Sequence, residues 1–127
     1  MIKVLIVDDS AFMRKVLTDL FAAEQDFKVI DTARNGLEAI DKVKRLKPDL
    51  VTMDVEMPVL DGLKSLEQIM RESPVPVLMI SSLTRAGAEE TLRALTLGAV
   101  DFVAKTAGPI SSIVDVQPEI VAKARAA

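Results

Sequence analysis

Val4-Leu5-Ile6-Val7 is a continuous apolar run, mostly β-branched, that stops abruptly at Asp8-Asp9-Ser10. A run with no polar alternation reads as a strand buried on both faces, the kind found in parallel sheets with helices on either side. Working outward, Ser10 is placed to cap a helix over roughly Ala11 to Ala23. Phe27 to Thr32 reads as a second strand, and Asn35-Gly36 then turns into a helix with Leu37, Ile40, Val43 and Leu46 on one face. Pro48 stops that helix before a third strand, Leu50-Val51-Thr52-Met53. Pro58 and Asp61-Gly62 mark a loop, and the next helix carries Leu63, Leu66, Ile69 and Met70. Pro74 and Pro76 break the chain before a fourth strand, Val77 to Ile80. A fourth helix, about Gly87 to Leu97, ends at Gly98, a natural C-cap. Ala99 to Val103 reads as the fifth strand. Gly108 and Pro109 lie in a looser stretch, and Pro118 can open a last helix from Glu119 to Arg125.

Strands alternating with helices in this way predict an α/β domain: a flavodoxin-like, doubly wound (βα)5 fold with a five-stranded parallel sheet in the order 2-1-3-4-5. Residues 1–127 read as one domain, with no internal boundary and no low-complexity tract. Half the residues are hydrophobic and 28% are charged, a globular balance. With four Phe and no Tyr or Trp, the core is aliphatic. A net charge of −3 argues against a nucleic-acid surface. The lack of cysteine excludes thiol chemistry and disulfides, and the lack of histidine excludes imidazole as base, metal ligand or phosphate carrier. Any metal here sits on oxygen ligands. Neither a signal peptide nor an apolar run long enough to span a membrane is visible, so a soluble, cytoplasmic protein is expected.

Ligands of doubly wound sheets bind beyond the carboxyl ends of the strands, which is where chemistry is sought. The first strand ends in Asp8-Asp9, the third in Asp54 and the fourth in Ser81-Ser82, and the fifth is followed by Lys105. Taken singly, each has an ordinary use. Asp8 or Asp9 can cap a helix, Asp54 can sit between strand and loop, Ser81 can be a satisfied hydroxyl, and Lys105 can be a surface charge. Taken together, they place three carboxylates, a hydroxyl and an ammonium on one sheet edge. Three neighbouring carboxylates resist ionising together, and a hard divalent cation removes that conflict. Magnesium binds through one or two carboxylates while keeping waters and phosphate oxygens, so the edge has room for a phosphoryl group.

Val7-Asp8-Asp9-Ser10, Met53-Asp54-Val55-Glu56-Met57-Pro58, Asp61-Gly62, Ser81-Ser82 and Lys105 together resemble the response-regulator receiver family over nearly the whole chain. A narrower resemblance is carried by Asp54-Val55-Glu56-Met57-Pro58, Ser81-Ser82-Leu83-Thr84, Gly98-Ala99-Val100-Asp101-Phe102-Val103 and Gly108-Pro109-Ile110-Ser111. These look like the regulatory domain of the chemotaxis protein-glutamate methylesterases. The resemblance implies that Asp54 is the phosphoacceptor. Asp9 and Asp54 would ligate Mg2+ directly and Asp8 largely through water, with the backbone carbonyl of Glu56 as a further ligand. Lys105 would pair with a phosphoryl oxygen, Ser81 would be the switch hydroxyl, and Phe102 the switch aromatic.

Two departures stand out. The family usually has proline after the lysine, joined by a cis bond, whereas here the pair is Lys105-Thr106. The methylesterases also have a catalytic domain with a serine nucleophile and a histidine, and this chain has no histidine. The expectation is therefore a regulatory domain without the catalytic one. It would be phosphorylated by a chemotaxis histidine kinase and would control a methylesterase domain in cis, with no nucleic-acid partner and no membrane insertion. The alternatives are a stand-alone receiver acting through protein binding, a flavodoxin-like cofactor binder, and a magnesium-dependent phosphohydrolase. Lack of Trp and Tyr to stack a flavin argues against the cofactor binder. Glu56, two residues after Asp54, has the spacing of the phosphohydrolase's general acid.

Overall fold

Strands and helices alternate along the computed structural model: β1 (Ile2–Val7), α1 (Ala11–Ala22), β2 (Phe27–Ala33), α2 (Gly36–Leu46), β3 (Leu50–Asp54), α3 (Gly62–Glu72), β4 (Val77–Ser82), α4 (Arg85–Leu97), β5 (Asp101–Lys105) and α5 (Ser111–Ala126). The structure describes the backbone of residues 1–55, 57, 60–82, 85–105 and 111–127. It describes their side chains except at 81, 82, 85–88, 90, 91, 104, 105 and 111–117. All strand pairs are parallel, in the order β2-β1-β3-β4-β5.

Successive strand residues point to opposite faces, so the apolar run of β1 serves two core layers. Val4 and Ile6 pack with Met13, Leu17 and Phe21 of α1 and with Ile120 and Ala124 of α5. Leu5 and Val7 face the other way, toward Ala39 and Val43 of α2, Leu66 and Ile69 of α3, and Ala94 of α4. The hydroxyl of Thr52, in the middle of β3, is buried without a hydrogen-bond partner among the described residues. Among those residues no helix is long and apolar enough to cross a membrane.

Local chemistry sets the helix starts. Ser10, Asn35 and Asp61 each turn a side-chain oxygen onto a backbone N–H three residues on, at 3.2, 3.0 and 2.8 Å. Gly98, at φ +117°, closes α4: its N–H donates to Leu95 O at 3.2 Å, and the Ala99 N–H donates to Ala94 O at 3.0 Å. This crossed pair commits Ala99 to the helix end. The ladder toward β5 therefore opens only at Val100, whose N–H reaches Val77 O at 3.0 Å, and β5 lies two residues later than its apolar run suggests.

Two more sequence expectations are corrected. Leu37 is 57% exposed, because α2 turns its small residues Gly36 and Ala39 inward with Val43. A Cβ on Gly36 would lie 1.9 Å from Ser65 Oγ of α3, so close helix approach, and not the leucine stripe, sets the rotation of α2. The last helix begins at Ser111 and contains Pro118 in its interior, where proline was expected to open it. An interior proline forfeits a backbone hydrogen bond and costs about 3 kcal/mol. The helical spacing of Ile113, Val116, Ile120 and Ala124 runs through it, and Ile120 and Ala124 are buried.

Candidate functional site

β1 and β3 are neighbours with Val7 opposite Met53, so Asp8-Asp9 and Asp54 emerge side by side at the carboxyl edge of the sheet. One carboxylate oxygen from each of Asp8, Asp9 and Asp54 lies within 4.8 Å of the others. Asp8 is 1% exposed and Asp54 8%, while Asp9 faces solvent. The turn carrying the first two is held from several sides. Asp8 N–H donates to Ala33 O at 3.1 Å, tying the turn to β2. Asp8 Oδ1 accepts from Ser10 N–H at 2.9 Å, and Asp8 O accepts from Arg14 Nη1 at 2.8 Å. Arg14 has no counterpart in the sequence reading, because its reach back to the strand end depends on the start of α1.

Asp54 is held through its backbone. Gly62 opens α3 against it, donating its N–H to Val55 O at 3.0 Å. A methyl on Gly62 would lie 2.3 Å from Asp54 O and 3.0 Å from Val55 Cα. The sequence marks Asp61-Gly62 as a loop without assigning either residue a structural task, yet Asp61 caps α3 and Gly62 sets how closely that helix approaches the acid. Gly62→Ala should therefore destabilise the fold by about 2 kcal/mol and weaken magnesium binding, since the displaced atoms are the backbone of Asp54. Urea denaturation with and without magnesium measures both effects. An unchanged midpoint would show that α3 yields without disturbing the strand end.

Of the other expected site residues, Ser81 and Lys105 are placed by backbone alone and Glu56 lies outside the described residues, while the side chain of Phe102 is described. Ser81 is in β4 opposite Ala104, and Lys105, the last residue of β5, is opposite Ser82. Both thus stand on the acidic edge, though their side chains are outside the described set. Glu56 and the Lys105-Thr106 bond lie outside the described residues as well. Phe102 is half-buried on β5, opposite Met79, and packs against the core layer of α2, α3 and α4.

The donor set suits a hard cation. At metal–oxygen distances of roughly 2.1 Å, two oxygens on one octahedral magnesium lie about 3 Å apart when adjacent and about 4 Å apart when opposite. Oxygens already within 4.8 Å of one another need little movement to meet that requirement. Charge points the same way: two carboxylates at such a separation repel by about 3 kcal/mol at an effective dielectric constant of roughly 20.

The family model for the response regulator receiver domain matches residues 4–116. The chain is 56% identical over 123 residues to a protein-glutamate methylesterase/protein-glutamine glutaminase of Geobacillus kaustophilus, covering 96% of this chain and 35% of that protein. The response regulator domain of Thermotoga maritima CheB matches with a TM-score of 0.92 and 48% identity, over 100% of this chain and 96% of that one. A chain of the CheX-CheY-BeF3-Mg2+ complex from Borrelia burgdorferi matches at 0.76 and 35% identity, over 95% and 88%. The chain spans about a third of the length of the methylesterase relatives it matches.

Proposed function

This chain belongs to the response regulator receiver domain family, and from that premise we propose that it is a phosphorylation switch of bacterial chemotaxis. Asp54 takes a phosphoryl group from a histidine kinase in a magnesium-dependent step, and the phosphorylated domain controls a methylesterase domain linked in cis. One observation carries the reading: Asp8, Asp9 and Asp54 converge within 4.8 Å at the end of a central parallel strand. The likeness to a chain of a complex that contains BeF3 and Mg2+ supports the same chemistry.

In this reading one Asp54 oxygen attacks the phosphorus of a phosphohistidine in line, the P–N bond breaks, and its electron pair returns to the imidazole. Magnesium held by Asp9 and Asp54, by Asp8 through water and by the Glu56 carbonyl would supply positive charge for the phosphoryl oxygens. Lys105 pairs with one such oxygen, and the Ser81 hydroxyl donates to another. Ser81 moves inward as it does so, and Phe102 turns into the space it leaves. That changes the face made by α4 and β5. Leu92 and Val100, 66% and 45% exposed on and beside that face, support it as the surface that docks the methylesterase domain.

Transfer from a kinase tests the proposal. A chemotaxis-type histidine kinase, loaded with labelled phosphate and mixed with this chain in magnesium, should lose its label to the chain within minutes. Label that stays on the kinase would remove the chain from this class of switch.

A further inference from the structure

Phe102 is gripped at three points. Its N–H donates to Asp101 Oδ1 at 2.8 Å. Its carbonyl, on the strand that ends the sheet, accepts from Lys123 Nζ at 2.7 Å. The same ammonium lies 5.2 Å from the centre of its ring. Lys123 belongs to α5, whose core residues lie on the opposite face of the sheet from the layer against which Phe102 packs. Its stem therefore reaches around the open edge of β5. Two acids fix the ammonium there: Glu119 Oε1 at 2.9 Å, one turn earlier on α5, and Asp101 Oδ1 at 3.7 Å. The hydrogen bond to Glu119 raises the pKa of Lys123, and the charge on Asp101 adds to it.

An exposed ion pair contributes little, because water and salt screen it and ordering two long side chains costs entropy. Lys123 differs in having only 28% of its side chain exposed and in joining two elements through a ring, an edge carbonyl and two carboxylates.

We propose that Lys123 is a positioning residue for Phe102: it holds the ring in the orientation seen here and couples any turn of that ring to α5. The regulatory meaning of this contact rests on reading Phe102 as the aromatic that turns on phosphorylation. A turned ring gives up the cation while Glu119 and Asp101 retain it, so the contact biases the unphosphorylated protein against the turned state. The same turn uncovers the Lys123 ammonium, still paired with Glu119 and Asp101, on the face beside α5.

The test uses two variants of the chain. Lys123→Met keeps the stem and removes the charge, and Lys123→Arg keeps a cation. Phe102 ring resonances are followed by NMR with labelled phenylalanine and assigned with Phe102→Leu. A cation–π contact at a partly exposed site shifts a population by about two- to fivefold. In phosphate-free protein, Lys123→Met should move the ring signals toward a second orientation by that factor, and Lys123→Arg should leave them in place. Ring signals of Lys123→Met that overlay those of the parent overturn the proposal. Beryllofluoride added to the parent chain tests the switch reading separately. If it leaves Phe102 unmoved, that reading fails, while a ring shift in Lys123→Met that Lys123→Arg does not share still supports the restraint.

Discussion

Asp54→Ala should take up no phosphate from a small phosphodonor in magnesium, under conditions in which the parent chain gains one phosphoryl group, and should remain folded. The loss is expected to be complete because, in the proposed reading, the substitution removes the nucleophile itself. Asp54 ends β3, the middle strand of the sheet, and is 8% exposed beside Asp8, which is 1% exposed. The fold survives because the core residues of β3, Leu50, Val51 and Met53, are untouched. The melting curve of the variant should still show one cooperative transition. Intact-mass spectrometry and a melting curve read the two effects. A variant that still gains one phosphate would move the acceptor elsewhere.

Magnesium should raise the melting temperature by about 10 °C when present at a hundredfold excess over its dissociation constant. A ligand that binds only the folded state at that excess adds about 2.7 kcal/mol, and a domain of this size melts with roughly 0.27 kcal/mol per degree. Asp8, Asp9 and Asp54 converge only in the folded chain, so the unfolded state offers no equivalent site. Asp9→Ala should shrink the shift. It removes the exposed member of the cluster without opening the core. Melting curves that coincide in chelator and in millimolar magnesium would count against a metal at this edge.

Much of this architecture is legible in the chain because strands buried on both faces carry short, largely apolar runs. Val4 to Val7 and Leu50 to Met53 declare the centre of a parallel sheet, and the acids that follow them are then placed on its carboxyl edge. Caps are legible for a similar reason: Ser10 and Gly98 act on backbone groups only a few residues away. What the chain hides is contact between distant elements. Leu37 looks like part of the core stripe of α2 until Gly36 is seen against Ser65, 29 positions on. Gly62 looks like a turn residue until its hydrogen is seen against the Asp54 carbonyl. Lys123 looks like a surface charge near the end of an amphipathic helix, and only the fold brings it over Phe102. Pro118 misleads in the other direction: it is a strong local signal for a helix start, and here the helix runs through it.

In the proposed reading Asp54 accepts phosphate with the help of a cation held by its acidic neighbours. The most direct measurement is the intact mass of the parent chain after incubation with a small phosphodonor, in magnesium and in chelator, followed by peptide mapping of any product. One added phosphoryl group is expected in magnesium and none in chelator, with the modification on the peptide that contains Asp54. Uptake that is indifferent to chelator, or that maps to a peptide lacking Asp54, would contradict that reading.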